Sequence, residues 1–217
     1  MESVKVASLD LDGTVTDIWF VDSVWFEGIP RLYAIKNGLS YASARIVVTN
    51  EYSKVGRERL EWYNLSYWLA KLGLNASSEE VLSSYKHKIR VYPDAIEALQ
   101  MFRDKGLRLI LVTNARREFA DLELEVTGIA HYFEQVFSTT SDFGLIKKTP
   151  DVYKKVCNIC EVTPKEMIHV GDDQCFDFVI PKTLGIRAFY LDRGGNHSGQ
   201  SVIHSLMELS QKLATGA

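Results

Sequence analysis

Short apolar runs alternate with helical stretches along this chain, and this alternation constrains its fold more than any other feature. Helical patterns separate the runs, as in the segment that begins after Pro93 and ends near Gly106. Runs without polar alternation are typical of parallel strands that are covered on both faces. The sequence therefore predicts an α/β fold, a doubly wound, Rossmann-like parallel sheet. The predicted strands are VKVASL (4–9), LRLILV (107–112), the weaker FEQVFS (133–138), MIHV (167–170) and IRAFYL (186–191).

A helical segment interrupts this pattern after the first strand. No strand-like run stands out between residues 18 and 90, and helical spacing dominates there, as in LEWYNLSYWLAKLG. A chain of 217 residues suits one core with an insertion. We therefore expect residues 1–15 and 92–217 to form the core and 16–91 an inserted α-helical domain. We expect large aromatic side chains to fill the interior of that domain, which contains all four tryptophans: Trp19, Trp25, Trp62 and Trp68.

Composition argues against several classes of function. The net charge is −3, and the densest basic run, KHKIR (86–90), is short, so nucleic-acid binding is not expected. No apolar run reaches the roughly 20 residues that a membrane span requires. The N-terminal residues lack the apolar region of a secretory signal. The expectation is a soluble cytoplasmic protein, and the sequence does not indicate its oligomeric state.

Polar side chains follow the predicted strands at the points where the strands end. The carboxyl ends of parallel strands meet at one edge of the sheet, where ligands bind. VTN occurs twice, and only the second copy, at 112–114, ends a predicted strand. The candidate residues are Asp10, Asp12 and Thr14 in SLDLDGTVTD, Thr113 and Asn114, the pair Lys147 and Lys148 before Pro150, and Asp172, Asp173 and Asp177 in GDDQCFD.

Four of these acids would bring like charges together: Asp10, Asp12, Asp172 and Asp177. Two unit charges 4 Å apart repel by roughly 4 kcal/mol at an effective dielectric constant of 20. One lysine cannot balance this repulsion, so the cluster indicates either protonated carboxyl groups or a bound divalent cation. Carboxylate ligands with open positions suit Mg²⁺. A threonine, backbone amides and a lysine beside such a cation suit a phosphoryl group.

Taken together, these residues resemble the four motifs of the haloacid dehalogenase superfamily of phosphohydrolases. The resemblance covers residues 4–15 and about 92–192, and residues 16–91 resemble the cap that these enzymes insert after the first motif. It implies that Asp10 is a nucleophile that forms an aspartyl-phosphate, and that Asp12 is the general acid and base. It further implies that Lys147 is a catalytic residue that offsets charge on Asp10 and on the phosphate. Other implied roles are phosphate binding by Thr113, the Asn114 amide and Lys147; Mg²⁺ binding by the Asp10 carboxylate, the Asp12 carbonyl and Asp172; and support from Thr14, Asp173 and Asp177.

The third motif departs from the pattern of the superfamily. It usually has the form K-P-x-P, whereas this chain has KKTP at 147–150. Counting back from Pro150 selects Lys147, and Lys148 remains the alternative.

The resemblance implies a Mg²⁺-dependent phosphatase that acts on a small soluble phosphomonoester. Asp12 favours ester hydrolysis, because an alkoxide leaving group needs a proton and dehalogenase members lack an acid at this position. A phosphomutase with the same motifs remains an alternative, as does a non-enzymatic signalling module that accepts a phosphoryl group. Phosphoglycolate, sugar phosphates, glycerol-type phosphates and nucleoside monophosphates all stay open as substrates. The candidate cap cations, either substrate-binding or only solvated, are Arg45, Lys54, Arg57 and Arg59.

Overall fold

The fold is built on a six-stranded parallel sheet. The computed structural model describes residues 3–214, so the first two and last three residues of the predicted core lie outside it. The strand order is β3-β2-β1-β4-β5-β6, and every pair is parallel. The order reverses at β1, which creates a crevice at the carboxyl ends of the central strands. The predicted fold class is confirmed. The strands are β1 (Val6–Leu9), β2 (Arg108–Thr113), β3 (Gln135–Ser138), β4 (Met167–Gly171), β5 (Arg187–Leu191) and β6 (Val202–Ile203).

Helices cover both faces of the sheet and also form the insertion. Those of the insertion are α1 (Trp19–Ser23), α2 (Ile29–Asn37), α3 (Tyr41–Val55), α4 (Leu65–Lys71) and α5 (Ser78–Tyr85). Those around the sheet are α6 (Ala95–Asp104), α7 (Arg117–Thr127), α8 (Thr139–Asp142), α9 (Pro150–Ile159), α10 (Ile180–Thr183) and α11 (Leu206–Ala214). Within residues 3–214, none of the helices has the length and hydrophobicity that a membrane crossing requires.

Alternate residues of β2 show why the strands read as continuous apolar runs. Leu109 and Leu111 pack into one buried cluster with side chains of α6, α7 and α11. Ile110 and Val112 point to the opposite face and pack with α9, including Cys157. Because each face is covered, neither set of alternate positions needs polar side chains.

The chain leaves the core and returns to it through two adjacent backbone segments. Thr16 pairs with Val91 in an antiparallel bridge. The amide of Asp17 donates to the Arg90 carbonyl, and the amide of Tyr92 donates to the Val15 carbonyl, each at 3.0 Å. These paired linkers support a boundary close to the expected one, and we propose residues 16–91 as a unit inserted into the α/β core.

Aromatic side chains fill much of the interior of this helical unit. Trp25 and Trp68 are buried there, whereas Trp19 is 69% exposed. The cluster also includes Phe119 of α7, whose ring is stacked on Trp25 with centroids 5.6 Å apart. The helical unit is therefore packed directly onto a core helix that begins just after the second strand.

One predicted helix begins later than expected. Helical spacing predicts a helix over 201–213, but Val202 and Ile203 form β6 and the helix begins at Leu206. The reason is tertiary, because Asp94 Oδ2 accepts a hydrogen bond from the Leu206 amide at 2.7 Å. A carboxylate that is distant in the sequence thus satisfies one of the free amides at the helix start.

Candidate active site

Asp10 lies just beyond β1 and its carboxylate contacts Lys148. The Asp10 amide donates to the Val170 carbonyl at 2.9 Å, which fixes the residue between β1 and β4. Lys148 Nζ lies 2.5 Å from Asp10 Oδ1 and 2.6 Å from Asp177 Oδ1, and all three side chains are buried. Burial opposes charge on the lysine, yet the two carboxylates raise the pKa of Lys148 above its ordinary value. The site therefore contains a permanent ammonium group between two carboxylates.

The expectation that Lys147 neutralises Asp10 is wrong. Lys147 Nζ is paired with Glu58 of the helical unit and lies 4.9 Å from the centre of the Phe176 ring. Lys148 lies only two residues before Pro150, the first residue of α9, so this motif is one residue shorter than K-P-x-P. Spacing alone therefore selects the wrong lysine, and Lys148 takes the position that Lys147 was expected to fill.

A buried polar chain extends from Lys148 into the sheet. Asp177 Oδ1 also accepts a hydrogen bond from His169 Nε2 at 2.9 Å, and His169 Nδ1 lies 2.8 Å from Ser8 Oγ. Burial raises the pKa of Asp177, but Lys148 and His169 outweigh it and lower that pKa to about 2. Ser8 and the contact from His169 to Asp177 were not among the predicted features of the site. The sequence signal for this contact is one polar residue in each of two otherwise apolar runs, Ser8 and His169. These two residues are register partners in the sheet.

Glycines allow two acidic side chains to approach the backbone closely. Gly13 has a φ of +78°, and a Cβ at this position would overlap the carboxylate of Asp172. At Gly171 a Cβ would overlap the side chain of Asp177. Burial, followed by the charge of Asp177, raises the pKa of Asp172 to about 6. These two positions therefore require glycine, because the side chains of Asp172 and Asp177 occupy the space where a Cβ would lie.

Asp173 is turned away from the acidic cluster. Its Oδ1 accepts hydrogen bonds from the amides of Cys175 and Phe176, each at 2.8 Å. This arrangement caps the helical turn Gln174–Val179. The structure therefore gives Asp173 a role in shaping the loop that ends at Asp177.

Asp12 is paired with Glu123, a residue that sequence reasoning missed. The two carboxyl groups are close enough to affect each other's pKa, and Asp12 Oδ1 and Glu123 Oε1 are buried without a hydrogen-bond partner among the described residues. Thr16 Oγ1 donates to Glu123 Oε2 at 2.6 Å. A proton on one of them would allow the two carboxyl groups to bond to each other. Burial, followed by the charge of Asp12, raises the pKa of Glu123 well above its ordinary value, which favours Glu123 as the protonated partner. Burial also raises the pKa of Asp12, to about 6.

The expected phosphate-binding residues lie at the end of β2. Thr113 is buried, and its Oγ1 accepts from the Ala115 amide at 3.1 Å, which leaves its hydroxyl hydrogen for a ligand. The Asn114 side chain is oriented by Thr139, whose hydroxyl donates to Asn114 Oδ1 at 3.1 Å. Thr14 is buried below the loop, and its Oγ1 has no partner among the described residues. The strand ends therefore bring the first two motifs together as predicted.

The acidic cluster has a donor set that fits a metal ion. One carboxylate oxygen from each of Asp10, Asp172 and Asp177 lies within 4.8 Å of the others. The oxygens of Asp177 already accept hydrogen bonds from Lys148, His169 and the Asp173 amide. Asp10 Oδ2 has no hydrogen bond to any described residue, so Asp10 and Asp172 have more capacity left for a cation. Hard carboxylate oxygens such as these suit Mg²⁺.

Comparison with known proteins decides the family. The sequence profile of haloacid dehalogenase-like hydrolases matches residues 4–174. The chain belongs to the haloacid dehalogenase-like hydrolase family. The match includes Asp10, Asp12, Thr113, Lys148 and the first two acids of the GDD motif, so it covers most of the site. The predictions of this family and of a hydrolase of the phosphatase type are confirmed.

Curated relatives within the family have different substrates in their names. The chain is 27% identical to the GMP/IMP nucleotidase of Escherichia coli, over 85% of this chain and 84% of that protein. It is 28% identical to a phosphoglycolate phosphatase of Vibrio vulnificus, over 90% of this chain and 87% of that protein. A phosphoserine phosphatase of Thermus thermophilus is 30% identical, over 50% of this chain and 43% of that protein.

Solved structures of this hydrolase family share the fold. A phosphatase from Thermococcus onnurineus matches with a TM-score of 0.85 and 28% identity, over 97% of this chain and 98% of that chain. An L-2-haloacid dehalogenase from Xanthobacter autotrophicus matches with a TM-score of 0.65 and 17% identity, over 99% of this chain and all of that chain, which shows the fold alone.

Proposed function

We propose that this chain is a Mg²⁺-dependent phosphatase that hydrolyses a small soluble phosphomonoester through an aspartyl-phosphate on Asp10. The observation that carries the proposal is the contact of Asp10 with Lys148 at the carboxyl end of β1. Asp10 Oδ1 is held by the lysine, while Oδ2 has no hydrogen bond to a described residue. That arrangement leaves one oxygen to attack phosphorus and fixes the other.

The first step forms a bond between an Asp10 oxygen and phosphorus and breaks the bond from phosphorus to the ester oxygen. That ester oxygen leaves with a proton from Asp12, whose pKa of about 6 allows partial protonation near neutrality. Thr113 can donate its hydroxyl hydrogen to a phosphoryl oxygen, and Lys148 offsets charge on Asp10. In the second step, water attacks phosphorus, Asp12 takes up its proton, and phosphate is released from Asp10.

Mg²⁺ would be held by the carboxylates of Asp10 and Asp172 and by the Asp12 backbone carbonyl. When bound, it would supply positive charge that offsets the negative charge of the phosphoryl group. Burial raises the pKa of Asp10 well above its ordinary value, against the influence of Lys148. An ionised nucleophile at this position therefore benefits from additional positive charge.

Asp12 supports a phosphatase over a dehalogenase. A halide leaves as an anion and needs no proton, whereas an ester oxygen does. Burial of the Asp12 carboxyl group raises its pKa to about 6, which favours holding that proton. The relatives with nucleotidase and phosphatase names support the same choice.

The test is phosphate release from a generic small ester, with and without Mg²⁺, for the native protein, Asp10→Asn and Asp104→Asn. We expect Mg²⁺-dependent release that Asp10→Asn abolishes. Asp104, an exposed acid on α6, provides the matched control and should leave the rate unchanged. Undiminished release by Asp10→Asn would refute the nucleophile. A stable phosphoenzyme without turnover would instead favour the mutase or the signalling module.

A further inference from the structure

A cavity of about 350 Å³ lies between the helical unit and the α/β core. Asp12 lies in its wall, beside Asn114, so the cavity opens onto the expected general acid and phosphate-binding turn. A phosphoryl group on Asp10 would therefore place its leaving group in this cavity. What can be inferred about that leaving group rests on the proposed function.

Aromatic rings form much of the cavity wall. The Trp25 ring is stacked between Trp62, with centroids 6.0 Å apart, and Phe119, with centroids 5.6 Å apart. Trp62 and Tyr63 are only partly buried, and both rings line the cavity together with Phe26. Because the Trp62 ring is stacked on Trp25, which is itself stacked on Phe119, it is held in place before any ligand binds. Such a wall presents flat apolar surface to a ligand.

Polar groups without strong protein partners interrupt this aromatic wall. Asp22 lines the cavity, and its carboxylate has no hydrogen bond to a described residue. The Arg57 guanidinium lies 5.3 Å from the centre of the Trp62 ring and is close enough to lower the pKa of Asp22, although burial raises it overall. Arg116 also lines the cavity, and its Nε is buried without a hydrogen-bond partner among the described residues. Acceptor and donor groups are therefore available at the edge of the aromatic surface.

The other candidate cations of the helical unit, including Arg45, do not line the cavity. Lys54 is paired with Glu51 and Arg59 with Glu61, and neither lines the cavity. Arg57 is thus the member of the sequence-derived set that the fold brings to the leaving-group side. A ring-free leaving group such as glycolate would use the cations but gain little from the aromatic faces.

We propose that this cavity binds a planar heteroaromatic ring on the leaving group, with Trp62 stacking on the ring and Asp22 and Arg57 bonding to its polar edge. The substrate class is then a nucleoside monophosphate. Nucleobases combine a flat π face, which aromatic side chains stack on, with donors and acceptors around the ring edge. Trp62 and Asp22 determine specificity in this arrangement, and Asp10 and Asp12 carry out the chemistry.

The first experiment compares kcat/KM for a nucleoside monophosphate and for phosphoglycolate in the native protein, Trp62→Leu and Trp19→Leu. Removing one stacking contact with a base weakens binding about ten-fold or more. We expect Trp62→Leu to lower kcat/KM by about that factor for the nucleotide, mainly through KM, and to leave phosphoglycolate hydrolysis nearly unchanged. Trp19, exposed and outside the cavity, is the matched tryptophan control.

Equal losses for both esters, or a native preference for phosphoglycolate, would overturn the inference while leaving the phosphatase intact. An aryl phosphate without hydrogen-bonding groups on its ring serves as a third substrate. If Asp22→Asn reduces activity on the nucleotide but not on the aryl phosphate, recognition of the ring edge is supported. Equal activity of native protein and Asp22→Asn on the nucleotide would refute that role of Asp22.

Binding without turnover separates this inference from the proposed function. Titration of the Asp10→Asn protein with a nucleoside monophosphate, followed by tryptophan fluorescence and calorimetry, requires no catalysis. We expect saturable binding that Trp62→Leu weakens about ten-fold and Trp19→Leu does not. Binding with these properties but no hydrolysis by the native protein would refute the phosphatase alone. Hydrolysis of other esters without nucleotide binding would refute the ring site alone.

Discussion

Replacing Lys148 by methionine tests how the site holds its carboxylates together. The ammonium group lies 2.5 Å from Asp10 and 2.6 Å from Asp177, and all three side chains are buried. Removing one partner of a buried ion pair leaves uncompensated charge and typically costs about 3–5 kcal/mol. Methionine has a similar length, so packing changes little. We therefore expect Lys148→Met to lower the free energy of unfolding by about 3–5 kcal/mol and to abolish phosphate release.

Lys147→Met is the matched control in the adjacent residue. Its partner Glu58 is 73% exposed, and exposed ion pairs contribute about 0–1 kcal/mol. Urea unfolding followed by circular dichroism gives both stabilities, and phosphate release gives both activities. A larger loss of stability or activity in Lys147→Met than in Lys148→Met would refute the assignment of the motif lysine.

The loss of folding stability in Lys148→Met should also depend on pH. Lys148 lowers the pKa of Asp10, which burial raises, so its removal raises the pKa of Asp10 further. The folded variant then binds more protons than the unfolded chain above the ordinary aspartate pKa of about 3.9. Its stability therefore falls as the pH rises through the raised pKa. A deficit relative to native protein that is smaller at mildly acid pH than at alkaline pH would support this reasoning, and a constant deficit would contradict it.

Three further perturbations test other parts of the site. Glu123→Gln keeps a hydrogen-bond donor toward Asp12 and an acceptor for Thr16, so we expect its activity to stay close to native. Glu123→Leu removes both groups and should lower kcat. Equal losses of activity in the two variants would contradict a protonated Glu123. Chelation of divalent cations should remove activity, and Mg²⁺ at about 100 times its Kd should restore it. Mg²⁺ at that concentration should also raise the free energy of unfolding of the native protein by about 2.7 kcal/mol, and Asp172→Asn should remove this stabilisation. His169→Phe leaves the Asp177 carboxylate and the Ser8 hydroxyl without their hydrogen-bond partner His169. It should lower the free energy of unfolding by about 1–3 kcal/mol in urea titrations. An unchanged urea midpoint would contradict the buried polar chain from Lys148 to Ser8.

The sequence predicts the sheet and its acidic edge because both depend on local patterns. Each predicted strand is a run of residues covered on both faces, and Asp10, Asp12 and Asp172 follow directly where such runs end. Parallel pairing then brings the strand ends together without further information. Strand β6 was missed because two residues are too few to produce a recognisable period.

The residues that sequence reasoning missed are positioned by contacts between distant parts of the chain. Glu123 lies on the buried face of α7 beside Phe119, Ala120 and Leu124, where an apolar side chain is expected. Its partner Thr16 is 107 residues away, so helical periodicity shows an anomaly but not its cause. Lys148 was kept only as the alternative to Lys147, because the turn before α9 is shorter than the motif that guided the choice.

The two aspartates of the first motif differ in the partners that the fold gives them. Burial raises the pKa of both, but Asp10 contacts the Lys148 ammonium, and the cation proposed at Asp172 would add positive charge on the same side. Asp12 instead lies close to the carboxyl group of Glu123, which adds no positive charge. Lys148 favours the anion that a nucleophile at Asp10 requires, and burial favours the proton that a general acid at Asp12 requires. The two roles are therefore supported by the contact of Asp10 with Lys148, which is distant in the sequence from the motif itself, and by the burial of Asp12.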